Sequence, residues 1–134
     1  MRPQTHIEKI VVHCADTPAE MDIGADEIER WHLDRGWADI GYHYVIRRDG
    51  VVEFGRPEGI QGAHVRGHNR NSLGICLVGG KGMFNFTAIQ MVALQELFMT
   101  LSKRYPDAEW FGHRDLDTGK ACPQFDVKVF LGVD

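Results

Sequence analysis

Leu73-Gly74-Ile75-Cys76-Leu77-Val78 is an almost wholly apolar run closed by Gly79-Gly80. Its short length and glycine boundaries fit a strand buried at the centre of a sheet. Upstream, Tyr42–Arg47 and Val51–Phe54 read as strands around Asp49-Gly50. Asp-Gly between such runs signals a hairpin, because both residues tolerate positive φ. Ala25–Arg35 has helical spacing, with Ile28, Trp31 and Arg35 on one face and Gly36 as the stop. Ile7 to His13 is rich in β-branched residues and reads as a strand. Between hairpin and central strand, Arg56–Ser72 is rich in Gly, Asn, His and Arg without a period. A loop of that length in a small domain is usually functional or mobile. Downstream, Thr87 and Gln90 form a capping box for a helix. Its apolar positions Ile89, Val92, Leu94, Leu97, Phe98 and Leu101 continue until Tyr105-Pro106, and Glu109–Gly112 is a short strand delivering His113. Strands alternate with helices, which predicts an α/β (α+β) single domain with a central mixed β-sheet covered by helices.

The chain has 134 residues, 43% of them hydrophobic, enough for one core and short for two domains. A single domain over residues 1–134 is therefore expected, acting as a monomer. The formal net charge of −4 supplies no general basic field, so direct nucleic-acid binding is not expected. Nothing approaches the roughly 18–20 apolar residues of a membrane span, and no signal-peptide core follows Met1-Arg2-Pro3. Synthesis in a cytoplasm without a signal peptide is the expectation. Three cysteines without CxxC spacing argue against a disulfide framework.

Zinc takes nitrogen and sulfur ligands, and catalytic sites commonly use three protein ligands. His13 ends the first strand, His113 ends the last, and Cys122 follows across the loop Arg114–Ala121. A loop of that length can fold back onto one ion. Spacing alone is not diagnostic, since neither CxxC nor HExxH is present.

Six ordered segments add specificity: Val11-Val12-His13-Cys14, Gly41–Gly50, Gly62-Ala63-His64, Asn71–Gly80, Gly112-His113-Arg114-Asp115 and Lys120-Ala121-Cys122-Pro123. From Ile7 to Phe125 the chain resembles the zinc-dependent N-acetylmuramoyl-L-alanine amidases, the type shared by small bacteriophage lysozymes and peptidoglycan recognition proteins. The resemblance implies that His13, His113 and Cys122 ligate one Zn²⁺ per chain and that Tyr42 and Lys120 are catalytic. It implies hydrolysis of the amide between the lactyl group of N-acetylmuramic acid and L-alanine in peptidoglycan. Lys120 would stabilise the oxyanion that develops on the carbonyl, and Tyr42 would orient water or donate to the intermediate. A phage or prophage endolysin is the expected setting, with no separate wall-binding domain and action on the periplasmic cell wall after release by another protein. Two alternatives stand beside it. One is a non-catalytic peptidoglycan-binding module, which the presence of Cys122, Tyr42 and Lys120 argues against. The other is a lysin that also binds and inhibits a phage RNA polymerase, for which no residue speaks.

The remaining reactive residues have plainer readings. Cys14 should face the core opposite His13, because neighbouring strand residues alternate, and Cys76 should be buried. His64 reads as either a groove residue or a loop histidine; the substrate contact is the reading carried forward. His68 is read as a solvated loop residue, His43 as packing or support behind the site, His32 as a helix-surface or core-edge residue, and His6 as part of a frayed terminus. Met83, Phe84 and Phe86 could staple the long helix. Asp115 and Asp117 could orient the ligands or face solvent.

Overall fold

The computed structural model describes residues 1–134. Five strands form one sheet in the order β3-β2-β4-β1-β5: β1 (Lys9–Cys14), β2 (Tyr44–Ile46), β3 (Val52–Phe54), β4 (Ser72–Leu77) and β5 (Glu109–Gly112). The hairpin pair β2–β3 is antiparallel, whereas β2–β4, β4–β1 and β1–β5 are parallel. The sheet is therefore mixed, and the glycine-bounded run is its central strand, as its apolar character requires. Helices α1 (Ala25–Asp34), α2 (Ala88–Arg104), α3 (His113–Leu116) and α4 (Val127–Leu131) complete the chain.

Strand alternation divides the core in two. Ile10 and Val12 of β1, with Leu73, Ile75 and Leu77 of β4, join Leu94 and Leu101 of α2 in the larger cluster. On the opposite face Val45, Cys76 and Val78 pack with Ala25 and Ile28 of α1 and with Ile40. His13 pairs in register with Cys76, while Cys14 joins the larger cluster. Cys14 and Cys76 are both buried.

Two helical faces differ from the expected ones. In α1 the buried positions are Ala25, Ile28 and His32, while Trp31 is exposed and Arg35 is the C-cap. Ile28 and His32 are four residues apart, so one helical stripe serves both. In α2 the buried residues are Gln90, Ala93, Leu94 and Leu101, while Ile89 and Val92 are about half exposed. Gln90 displaces Ile89 inward because polar groups await it. Its amide donates to the carbonyls of Ile46 (3.2 Å) and Val78 (2.9 Å) and accepts from Arg48 Nη1 (3.2 Å) and Thr87 N–H (2.9 Å). Thr87 is the N-cap of the expected capping box. Phe86 packs against Phe84 and Phe125, tying the residues before α2 to those before α4.

The segment between β3 and β4 is irregular but anchored. Gln4 is buried and reaches the carbonyls of Glu58 and Ser72. Glu58 accepts from the hydroxyls of Tyr44 and Tyr105 and pairs with Arg104, which fixes the segment to α2. The first residues are thus less frayed than expected, although His6 itself is exposed beside Glu8. No helix is long and apolar enough to cross a membrane.

Candidate metal and active site

His13 lies near the end of β1, the strand flanked by β4 and β5. His113 follows β5 directly and opens α3, a single turn in which Asp115 accepts from Gly112 N–H at 2.8 Å. The chain then turns back: Arg114 N–H donates to the Cys122 carbonyl (2.8 Å), which closes the loop between the two candidate ligands. The expected fold-back is therefore present, stiffened at its start by a helical turn that spacing alone did not suggest.

The three candidate ligands converge. One donor atom from each of His13, His113 and Cys122 lies within 4.8 Å of the others. The Nδ1 atoms of the two imidazoles face one another at 3.2 Å, and Cys122 Sγ accepts from Cys14 N–H at 2.9 Å. Two nitrogens and a sulfur in this arrangement match the donor set and ligand number of an open zinc site. Electrostatics agree with that match. Burial, with His64 and His113 nearby, holds His13 far below the usual imidazole range. Burial also lowers His113, partly offset by Asp117. Both rings thus stay neutral, the form that binds a cation. The hydrogen-bonded Cys14 and burial push the Cys122 thiol above its ordinary range; a divalent cation is the influence that reverses this preference.

A cavity of about 390 Å³ opens over these donors, lined by Cys14, Asp16, Tyr42, His113, Lys120 and Cys122 among others. Tyr42 stands beside His13, ring centroids 5.2 Å apart. Burial and the surrounding thiols raise its phenol well above the usual range, so it stays protonated. Lys120 is exposed at the rim, in the loop where its N–H donates to the Asp117 carbonyl (3.0 Å). A second cavity of about 370 Å³ shares Tyr42 and Arg35 with the first and continues past His64, Arg66 and Trp37. Both Arg35 and Arg66 are exposed. The groove is thus longer than the candidate metal site and carries two arginines along its second half.

Residues 3–125 match the N-acetylmuramoyl-L-alanine amidase family model. The chain belongs to that family. The endolysin of Klebsiella phage KP32 is 50% identical over 125 residues, covering 90% of this chain and 82% of that protein. The endolysin of Escherichia phage T7 is 47% identical over 126 residues, covering 90% and 83%. Among solved structures, the Ph2119 endolysin from a Thermus scotoductus bacteriophage superposes with TM-score 0.86 at 31% identity, covering 98% of this chain and 86% of that one. The amidase is accordingly an enzyme that hydrolyses amide bonds of peptidoglycan.

The other histidines of the amidase occupy defined places. His43 is buried behind the site, accepting from Gly74 N–H (3.0 Å) and donating to the Ile60 carbonyl (2.7 Å). His32 is buried rather than on the helix surface: Nδ1 accepts from Gly41 N–H (2.8 Å), and the ring packs 4.4 Å from Trp37 and 5.6 Å from Tyr42. His68 Nδ1 meets Lys9 Nζ at 2.9 Å, a more ordered position than a solvated loop. His64 touches the second cavity, yet both ring nitrogens are bonded inward, to His13 and Ser72. Asp115 and Asp117 accept from the backbone N–H groups of Gly112 and Gly119, so their partners are amides and not the imidazoles of His13 or His113. Ser72 and Arg35 have places in the sequence motif and the helical face but no site role there. The first lies inside a strand motif and the second sits among helical positions, so neither has a local signature.

Proposed function

We propose that this amidase cleaves the bond between the lactyl carbonyl of N-acetylmuramic acid and L-alanine, using one zinc ion held by His13, His113 and Cys122. The observation that carries this reading is the convergence of two neutral imidazoles and a thiol beneath a groove lined by Tyr42 and Lys120. When bound, zinc would polarise the scissile carbonyl and lower the pKa of water to near neutrality.

The chain's own groups supply the rest. Lys120 places an ammonium at the rim above the ligands, where it can neutralise the oxyanion developing on the carbonyl. Tyr42, held as a phenol, can donate a hydrogen bond to that oxyanion or orient water, but is not set up to act as a strong base. The basic extension past Arg35 and Arg66 suits an acidic stem peptide continuing beyond the first residue. The phage endolysins at 46–50% identity support a lysin acting on the cell wall, with the catalytic unit in one domain.

The test is metal analysis of wild type and Cys122→Ser, coupled to detection of new L-alanine amino groups from purified peptidoglycan. About one zinc per chain and amino-group release are expected from wild type, consistent with a three-ligand catalytic site. The variant should lose most of both. Intact peptidoglycan after wild-type treatment in zinc-replete buffer refutes the catalytic assignment, and an unaffected Cys122→Ser removes Cys122 from the ligand set.

A further inference from the structure

We infer that His64 and Ser72 are positioning residues that fix which nitrogen of His13 carries its proton. This rests on the proposed ligand role of His13. One group in this chain of hydrogen bonds has no choice of role. The Asn69 carbonyl can only accept, and Ser72 Oγ lies 3.0 Å from it, so the hydroxyl proton points there. With that proton committed, Ser72 Oγ can only accept from His64 Nε2, also at 3.0 Å. Neutral His64 therefore carries its proton on Nε2, and its Nδ1 is an acceptor. That Nδ1 lies 2.9 Å from His13 Nε2, which must then be the donor. Neutral His13 is left with a lone pair on Nδ1, the nitrogen that faces His113. Direction thus passes from a backbone carbonyl through two side chains to a candidate ligand atom.

The surroundings keep the relay in place. His64 packs edge-on against the rings of His13 and His43, and the partners of its two nitrogens are His13 and the Ser72 hydroxyl, with no carboxylate to favour an imidazolium, so the chain of donors retains its sense. Asn69 Oδ1 accepts from the backbone N–H of His64 (2.7 Å) and Val65 (2.8 Å), fastening the loop that presents the ring. Two glycines leave room for it. A Cβ on Gly74 would come within 2.6 Å of His64 Cγ, and one on Gly62 within 2.9 Å of His64 Cδ2. Ser72 is fully buried at the start of β4, so the anchor belongs to the sheet. An imidazole ligand whose other nitrogen donates to a fixed partner is held in one tautomer and orientation, and loss of such a partner typically costs 10–100-fold in metal affinity.

The experiment compares zinc-loaded wild type with His64→Leu, His64→Asn and Ser72→Ala. Zinc affinity is measured by chelator competition, the His13 tautomer by long-range ¹⁵N–¹H NMR, and KM and kcat on a soluble muropeptide. Wild type should show His13 protonated on Nε2. His64→Leu should lose about 10–100-fold in zinc affinity. His64→Asn, whose Oδ1 can stand where Nδ1 accepted, should recover most of that loss. Ser72→Ala, the milder change, should weaken zinc several-fold. A His13 protonated on Nδ1 in wild type overturns the inference even if His64→Leu does not fold. So does a raised KM with zinc affinity unchanged in His64→Asn and Ser72→Ala, which would make His64 a substrate contact. Wild type that takes up no zinc defeats the ligand assignment instead, while the tautomer in the same sample still reports on the relay.

Discussion

His32→Asn should flatten the acid sensitivity of this fold without abolishing the contact that His32 makes. His32 Nδ1 accepts from the N–H of Gly41, the residue before Tyr42, and the ring lies between Trp37 and Tyr42. Burial, aided by Arg35 and Arg56, lowers its pKa to about 4, against about 6.5 in an unfolded chain. A depressed histidine pKa means that the unfolded state binds the proton first. Its contribution is therefore intact above pH 6.5 and is lost as pH falls from there toward 4. At pH 5 an unfolded histidine is almost fully protonated and His32 is mostly neutral, so the cost approaches about 2 kcal/mol at ~1.4 kcal/mol per pH unit. Asparagine can place Oδ1 where Nδ1 was, keeping an acceptor for Gly41 while removing the titration. It also loses packing on Trp37, so the variant should start less stable at pH 8. The assay is urea unfolding of both proteins between pH 8 and 5 at constant excess zinc. The two stability curves should converge on acidification by about 2 kcal/mol. Curves that stay parallel would show that His32 is not held neutral by the fold, which refutes its assignment as the acid-sensitive group.

Other residues give independent outcomes. Lys120→Met should lower kcat by about 10²–10³-fold, the scale for losing one oxyanion-stabilising group, with zinc content unchanged by metal analysis. Gln90→Leu should cost about 2–3 kcal/mol in urea unfolding at constant m, because Ile46, Val78, Thr87 and Arg48 each lose a buried partner. Gly41→Ala would bring a Cβ within 2.1 Å of the Ala63 carbonyl oxygen. Backbone must shift to admit it, so a loss of about 1–3 kcal/mol is expected, read as a lowered Tm together with reduced kcat from a displaced Tyr42.

The strands were legible because their chemistry is local. Leu73–Val78 has the apolar run of a central strand, and Asp49-Gly50 has the turn residues of a hairpin; the strands so marked lie within two residues of the observed bounds. His13 and His113 were legible as strand-end residues, although pairing them needed the motifs around them. What escaped was decided across the fold. Ile89 looked like the inward residue of its helix until the carbonyls of Ile46 and Val78 gave Gln90 the stronger reason to be there. His64 lines the second cavity as a groove residue would, but no sequence pattern reports that Gly62 and Gly74 also open a seat for its ring beside His13. Asp115 and Asp117 read equally as acids that orient the ligands or as loop charges facing solvent, and only the fold shows that each caps a backbone amide.

His13 and His113 are separated by 100 residues, with Cys122 further along still. Order of synthesis follows from that distance. While the ribosome is making the chain, the first donor emerges long before its partners exist, and every truncated product is left with an incomplete set. Closing so long a loop costs only slightly more than closing one half its length. Late assembly of the site adds little to the thermodynamic cost of building it.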